Sequence, residues 1–195
     1  MNQLIKSNVI KYKFMQNTKI ILKIILPPII CLLIIVLTEM GIEYYPLSFG
    51  LIIGFINWNN HKYGISIGIF LSLLASYTSF FIAFFTFPLL FEAFKLLFGE
   101  DTGSVTALAI SSFIIAPLLV FFLYKYVFHY SKTKITNYII LVSVLILITV
   151  FYLSDSQYFN FIKVLKLDHY GIWQVIMALA IQTIIYQKEI WKKIN

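Results

Sequence analysis

Residues 63–87 read YGISIGIFLSLLASYTSFFIAFFTF, a stretch that contains no charged side chain. As a helix rising about 1.5 Å per residue, this stretch is long enough to cross the roughly 30 Å hydrocarbon core of a bilayer. Apolar residues also dominate the whole chain of 195 residues, of which 61% are hydrophobic and 12% are charged. A soluble domain of this composition would expose too much apolar surface, so the sequence predicts an all-α integral membrane protein.

Five further apolar stretches are candidate spans, and together with 63–87 they predict a bundle of about six transmembrane helices. These stretches cover residues 20–38, 45–58, 104–128, 137–153 and 171–187. The stretch 45–58 would be only about 20 Å long, which predicts a short span or a re-entrant segment. The amphipathic stretch 89–98 is predicted to continue after the third span. A second amphipathic stretch, 158–167, is predicted to lie at the membrane interface.

Local sequence signals predict where some of these helices bend, begin and end. Pro27 and Pro28 predict a kink or a broken first turn in the first span. Gly99 predicts the end of the stretch 89–98. Residues 101–104, Asp-Thr-Gly-Ser, are candidate N-cap residues for the fourth span.

The lysines orient the predicted bundle. All 15 basic residues are lysine. With six spans and both termini inside, only Lys95, Lys163 and Lys166 fall on the outer side, and Glu189 is the one acid on the inner side. This matches the excess of lysine that cytoplasmic loops carry, whereas omitting the second span would place the lysine-rich termini on opposite sides. We therefore predict cytoplasmic termini. The codon preference implied by abundant Ile, Phe, Tyr, Asn and Lys is typical of an AT-rich genome, and we expect the bacterial inner membrane.

The polar ends flank one membrane domain. Residues 1–19 are predicted to form a basic amphipathic segment on the membrane surface, residues 20–187 the transmembrane domain, and residues 188–195 a basic cytoplasmic tail. The net charge of +7 comes without arginine, which argues against bidentate recognition of phosphates. The expected partner of this charge is therefore the lipid bilayer and not nucleic acid.

Small residues recur every four positions on the second and third spans. They are Gly50, Gly54, Gly64, Gly68, Ser72 and Ser76. Such a strip lets another helix backbone approach closely, which predicts either packing within one subunit or the seam of a homo-oligomer. The mid-span hydroxyls between Ser72 and Thr86 are expected to bond to helix backbones, with a pore lining as the alternative. The phenylalanines that follow are expected to face lipid, with a hydrophobic gate as the alternative.

Motifs for catalysis are missing from the sequence, so we expect no enzyme, no cofactor and no metal site. A single Asp101-Thr102-Gly103 does not suffice for the paired carboxylates of an aspartic protease. The acids and His169 at the predicted outer ends of the spans are expected to be solvated charges that set topology. An intramembrane enzyme using Asp155, Asp168 and His169 is the third and least favoured alternative.

These features favour a non-enzymatic membrane subunit of a multi-protein system that acts as a sensor, an anchor or a pore component. The candidate inner face for a cytosolic protein or for anionic lipid consists of Lys125, Lys132, Lys134, Lys188, Lys192 and Lys193. In size and composition the chain resembles small membrane subunits of bacterial conflict systems, such as the membrane component of the Kiwa phage-defence system and colicin immunity proteins. This resemblance implies antiviral defence or immunity and carries over no residues.

The alternative is transport of a small solute, as a transporter or as its substrate-binding membrane subunit. Six spans in fewer than two hundred residues are similar to the membrane subunits of energy-coupling-factor vitamin transporters. The likeness is one of length and span count, and the scarcity of alanine departs from the helix seams typical of that family.

Overall fold

The protein is described by a computed structural model over residues 2–38, 41–130, 132–154 and 168–191, with side chains placed over 18–38, 41–130, 132–153 and 168–191. These residues are almost entirely helical. The helices are α1 (Asn2–Thr38), α2 (Tyr45–Ile56), α3 (Ile65–Phe98), α4 (Glu100–Ile110), α5 (Ala116–Val127), α6 (Lys134–Ser154) and α7 (His169–Trp191). Short 3₁₀ turns, Ile42–Tyr44 and Trp58–Asn60, flank α2. The prediction of an all-helical protein is confirmed over this part of the chain.

Within the described part of the chain, four helical segments are long and apolar enough to cross a membrane, which supports a multi-pass membrane protein. They are Thr18–Thr38, Ile65–Phe98, Glu100–Val127 and Lys134–Leu153. The apolar helical segment Ile42–Ile56 is shorter, in keeping with the predicted short second segment. The last helix, α7, has 23 residues but carries Gln174, Gln182 and Gln187, all buried, which lower its apolar character.

Helix α1 runs without a break across the predicted boundary between residues 19 and 20. Its 37 residues include Pro27 and Pro28, both buried in the bundle. Proline costs a helix one backbone hydrogen bond, and transmembrane helices tolerate this where neighbouring helices cover the site. The basic N-terminal segment and the first span are therefore parts of one helix, and the predicted broken turn at the prolines is not observed.

Helices α3 and α4 form a tight hairpin that differs from the sequence prediction at its turn. Helix α3 continues through Pro88 to Phe98 as a single helix of 34 residues. Gly99, with φ of +82°, ends α3 as predicted and also serves as the N-cap of α4, without a side-chain capping bond. The predicted capping by residues 101–104 is therefore wrong: Glu100 and Asp101 lie in the first turn, where their charge favours the helix dipole.

A wide π turn, Ser111–Ile115, joins α4 to α5 within one continuous span. In it the Ala116 N–H bonds to the carbonyl of Ser111, five residues earlier. Pro117 follows directly, and its ring would clash with the carbonyl of Phe113, four residues earlier, in a regular helix. The extra residue in the turn relieves this clash, which explains why the helical span continues past Pro117.

Helix α7 packs antiparallel to α1. Lys23 of α1 lies with its Nζ 5.1 Å from the ring centroid of Tyr186, near the end of α7. At the other end, Gly171 lies against Ile35. Helix α2 contacts α1, α3 and α7, helix α5 packs on α3, and α6 packs on α7. The core between them is lined by large side chains such as Phe49, Phe113 and Tyr124, each no more than 1% exposed.

Candidate functional site

The strip of small residues lies between α2 and α3 of the same chain. A Cβ on Gly50 would lie 2.9 Å from Cα of Leu73, and one on Gly54 would lie 3.2 Å from Cα of Ile69. Ser72 and Ser76 face the same contact and are almost fully buried. The strip therefore serves packing inside the chain at these positions. Gly64 stands apart, because it is exposed and precedes α3 with φ of +83°.

The mid-span hydroxyls bond to backbone, as expected. Ser72, Ser76 and Ser79 each donate to the carbonyl four residues earlier, at 2.8–2.9 Å. The Ser76 hydroxyl also lies 2.9 Å from the hydroxyl of Tyr124, which bonds in turn to the carbonyl of Ser72 at 3.3 Å. These bonds satisfy buried polar groups where no water is available, and they tie α5 to α3.

At one end of the bundle, the loop after α2 pairs with the end of α5. The Lys62 N–H donates to the carbonyl of Val127, and the His129 N–H donates to the carbonyl of Asn60. The side-chain amide of Asn60 reaches the hydroxyl of Tyr186 on α7 at 3.0 Å. Thr133, before α6, donates to Oε1 of Gln187 at 2.9 Å. Four separate segments are thus held together at this end.

His61 is the centre of this junction, and no sequence motif predicts a role for it. Its Nε2 lies 2.9 Å from the carbonyl of Gly54, and its ring stacks on Phe128 with centroids 4.9 Å apart. Its Nδ1 is buried and has no hydrogen-bond partner among the described residues. Gly68 leaves the space that the ring fills. Burial lowers the pKa of His61 below its ordinary value, because it penalises the charged imidazolium.

The lowered pKa of His61 predicts that the fold loses stability in mild acid. Below about pH 6.5 the imidazole of the unfolded chain takes up a proton, whereas the folded chain resists protonation until its own lower pKa is reached. The unfolded state is therefore favoured progressively as the pH falls through this window. We expect the apparent melting temperature in mild detergent to fall between neutral and mildly acid pH, and His61→Phe to flatten that part of the profile. An equally steep profile in the variant would assign the acid sensitivity to another group.

The lysines of the described chain converge on this same end. The lysine end, as used below, comprises the exposed Lys19, Lys23, Lys62, Lys125, Lys132, Lys134 and Lys188. The contacts of Lys23 with Tyr186, of the Lys62 ammonium with the carbonyl of Lys125 at 2.6 Å, and of Thr133 with Gln187 connect these segments. Within the described residues, Glu189 is the only acid here. Lys192 and Lys193, also predicted for this face, lie outside the described residues.

The opposite end carries the acids. The acidic end comprises Glu43, Glu92, Glu100, Asp101 and Asp168, with Lys95 as the one lysine among the described residues there. Asp168 caps α7: its Oδ1 accepts the N–H of Gly171 at 2.6 Å, while its Oδ2 accepts the Tyr45 hydroxyl at 3.2 Å. Glu39, Asp155 and the predicted interfacial segment 158–167 lie outside the described residues. The described residues contain no group of three or more His, Cys, Asp or Glu side chains that could hold a metal ion.

A cavity of about 290 Å³ opens between α2, α3, the π turn and α7. Its walls are mostly apolar, with Phe49, Phe80 and Trp173 prominent among them. Polar groups on the wall include Ser76, the Ser112 hydroxyl, which lies 3.4 Å from the Tyr170 hydroxyl, and Gln174. The Gln174 amide is engaged, because it donates to the carbonyl of Tyr45 at 2.9 Å. The sequence did not predict this cavity. The local sequence signal nearest to it is Pro117, which follows the π turn on the cavity wall.

Most of the phenylalanines on α3 face outward, as expected for a helix in lipid. Phe81, Phe84 and Phe85 are 47%, 62% and 67% exposed and lie against one another. Phe80 and Phe84 also line the cavity. The alternative of a phenylalanine gate across a pore stays a prediction.

No protein family, curated protein sequence or solved structure matches this chain. Its function is therefore inferred from its own geometry.

Proposed function

We propose that the chain is a non-enzymatic, multi-pass subunit of the bacterial inner membrane that recruits an acidic cytosolic protein to its lysine end. The observation that carries this proposal is the convergence, among the residues whose side chains the structure describes, of seven exposed lysines from five segments on one end, against a single acid. In this reading there are six spans, α2 is the short one, and both termini lie with the lysines in the cytoplasm. Assembly into a homo-oligomer belongs to the same proposal.

The architecture of the lysine end supports binding to a structured partner. Its lysines are borne by helix ends and by a loop junction that backbone hydrogen bonds and buried side chains hold in place. A fixed arrangement of charges costs less ordering on binding than flexible tails do. Like charges gathered on one surface also speed the encounter with a partner of opposite sign.

The proposal predicts that neutralising the lysines removes the partner. Replacing Lys125, Lys132, Lys134, Lys188, Lys192 and Lys193 by glutamine should reduce the cytosolic protein that co-purifies from native membranes in gentle detergent by roughly tenfold or more, since the electrostatic attraction is lost. The measurement is native mass spectrometry of the purified complex. The same spectra give the number of copies of the chain, for which we expect more than one.

Two controls separate recruitment from the simpler roles of lysine. The matched variant with arginine at the same six positions keeps every positive charge and should retain the partner. A single cysteine at the exposed Asn59, near the lysine end, should be labelled only after the cell membrane is permeabilised, because the proposal places this end in the cytoplasm. The one native cysteine, Cys31, is fully buried and should give little background labelling. If the glutamine variant loses only anionic lipid, or if no protein accompanies the unmodified chain, the recruitment proposal is wrong.

The cavity favours a second candidate function, which is binding of a small molecule as part of a transport or sensing system. Its volume of about 290 Å³ is close to the lower limit of typical ligand pockets, and its apolar walls with a few polar groups match their usual lining. A small molecule that stays bound through purification, detected in the native spectra of a chain without a cytosolic partner, would favour this candidate over the first.

A further inference from the structure

We propose that the cavity binds an apolar chain of a neutral, hydroxyl-bearing amphiphile that enters sideways from the leaflet at the acidic end. The inference deepens the second candidate function and rests on its cavity, and it does not depend on the lysine end. It follows from the depth of the cavity, from its mostly apolar lining and from the polar and charged groups around its mouth.

The cavity reaches from the mouth deep into the bundle. Ser76 lines it at the level of Tyr124, and Phe84 lines it two turns further along α3, about 12 Å away along the helix axis. Phe84 and Ile42 are 62% and 42% exposed, whereas Ser76 is buried. Since Phe84 belongs to the lipid-facing side of α3, the mouth between Phe84 and Ile42 opens toward lipid.

The shape and the lining suit a hydrocarbon chain. The cavity has a volume of about 290 Å³, and its lining residues on α3 extend over about 12 Å along the helix axis. The side chains along this path are mostly apolar, from Phe84 and Ala83 near the mouth to Phe49 at depth. A hydrophilic solute would leave its polar groups unpaired against these walls.

The polar groups near the mouth suit a head that donates and accepts hydrogen bonds. The hydroxyls of Ser112 and Tyr170 are 3.4 Å apart, a long contact that leaves both with bonding capacity. The indole N–H of Trp173, a wall residue, is buried and has no hydrogen-bond partner among the described residues. A hydroxyl or ester oxygen brought to this wall would find donors there.

The charges near the mouth disfavour an anionic head. Glu43 follows Ile42 directly, and Asp168 is bonded to the wall residue Tyr45, whereas Lys95 lies eleven residues beyond Phe84 on α3. A fatty-acid carboxylate or a phosphate would meet like charges there. Both oxygens of Asp168 accept hydrogen bonds, from Tyr45 and Gly171, which hold this carboxylate beside the cavity wall.

The test uses the fluorescence of Trp173 in the full-length chain. The sequence contains three tryptophans, so Trp58→Phe and Trp191→Phe leave Trp173, on the cavity wall, as the only one. The chain is placed in phosphatidylcholine nanodiscs and titrated with a monoglyceride whose stearoyl chain carries two bromines. We expect saturable quenching, stronger than that from brominated phosphatidylcholine at equal bromine content and reversed by unbrominated monoolein.

A pair of variants on α3 locates the site. Ala83→Leu fills the cavity and should weaken the apparent affinity for the monoglyceride by roughly tenfold or more. Ala93→Leu makes the same chemical change at an exposed position ten residues along the same helix and should leave the affinity unchanged. The parent titration with its monoolein competition needs no variant of the cavity, so it decides the matter even if Ala83→Leu does not fold.

Each other outcome overturns a stated part of the inference. Quenching that rises linearly, as with bulk brominated lipid, would show that no chain enters the cavity. Equally strong saturable quenching by brominated stearate at alkaline pH would overturn the neutral head, and saturable quenching that survives Ala83→Leu would place the chain elsewhere. A hydrophilic solute found in the native spectra, without monoglyceride quenching, would refute this inference while leaving the second candidate function standing. Capture of a cytosolic protein at the lysine end bears on neither result.

Discussion

Replacing Gly68 with alanine should lower the free energy of unfolding by about 1–3 kcal/mol, because the added methyl group has no room. The new Cβ would overlap Cγ and Nδ1 of His61 and would lie 2.6 Å from its Cβ. The imidazole cannot simply turn away, since it is held by the carbonyl of Gly54 and by the ring of Phe128. A lowered apparent melting temperature in mild detergent is the measurement that checks this prediction.

The control for Gly68→Ala is a double variant that removes the obstacle. In the His61→Gly background the methyl group meets neither the imidazole nor Cβ of residue 61, and alanine is a better helix former than glycine by up to about 1 kcal/mol. We therefore expect Gly68→Ala to be neutral or mildly stabilising when it is added to His61→Gly. If the losses from the two substitutions simply added, the clash with His61 would not be the cause.

Replacing Gly50 should cause a loss of the same order that no side-chain deletion repairs. A Cβ at Gly50 would lie 2.9 Å from Cα of Leu73 and 3.1 Å from the carbonyl oxygen of Ser72, both of which belong to the backbone of α3. Gly50→Ala must therefore push α2 and α3 apart at an estimated cost of about 1–3 kcal/mol, and Gly50→Leu should cost more. The expected readout is again a lowered melting temperature.

The control for Gly50 is Ser76→Ala, which deletes the only side-chain atom among its three nearest contacts, the hydroxyl at 3.0 Å. Because the backbone contacts remain, Ser76→Ala should not restore stability to Gly50→Ala. Native mass spectrometry of Gly50→Ala tests the predicted oligomer seam at the same time. Dissociation of subunits with an unchanged melting temperature would show that the strip joins different chains, contrary to the contacts within the chain.

Hydropathy located the helices well because length and apolar character are local properties of the sequence. Helix α6 spans Lys134–Ser154 where 137–153 was predicted, and α7 spans His169–Trp191 where 171–187 was predicted. The errors concentrate at prolines and caps. Pro27, Pro28 and Pro88 interrupt no helix, and Gly99, not the residues at 101–104, starts α4. In lipid, the cost of leaving a helix exceeds the cost of one missing hydrogen bond, so rules drawn from water fail there.

The site was less predictable than the helices because it is made by contacts between distant parts of the chain. The spacing of Gly50, Gly54 and Gly68 predicts the close approach of another helix backbone. No local sequence signal indicates that Gly68 faces the side chain of His61 and not another helix. Likewise, the cavity combines Tyr45, Ser112 and Trp173, which no sequence window contains together. The separation of the lysines from the acids could be predicted from the sequence, since the positive-inside rule depends only on the order of the spans and the loops between them.

The length of α3 has a consequence for the way the protein sits in a bilayer. Its 34 residues extend about 51 Å, and even a tilt of 40°, near the upper limit for transmembrane helices, leaves about 39 Å along the membrane normal. This exceeds the roughly 30 Å of hydrocarbon, so part of the helix must project into the headgroup layer. The projecting turns expose Leu96 and Leu97, at 87% and 70%, beside Glu92 and Lys95. A thicker bilayer would bury those leucines and a thinner one would expose them, which couples the placement of the hairpin tip to membrane thickness.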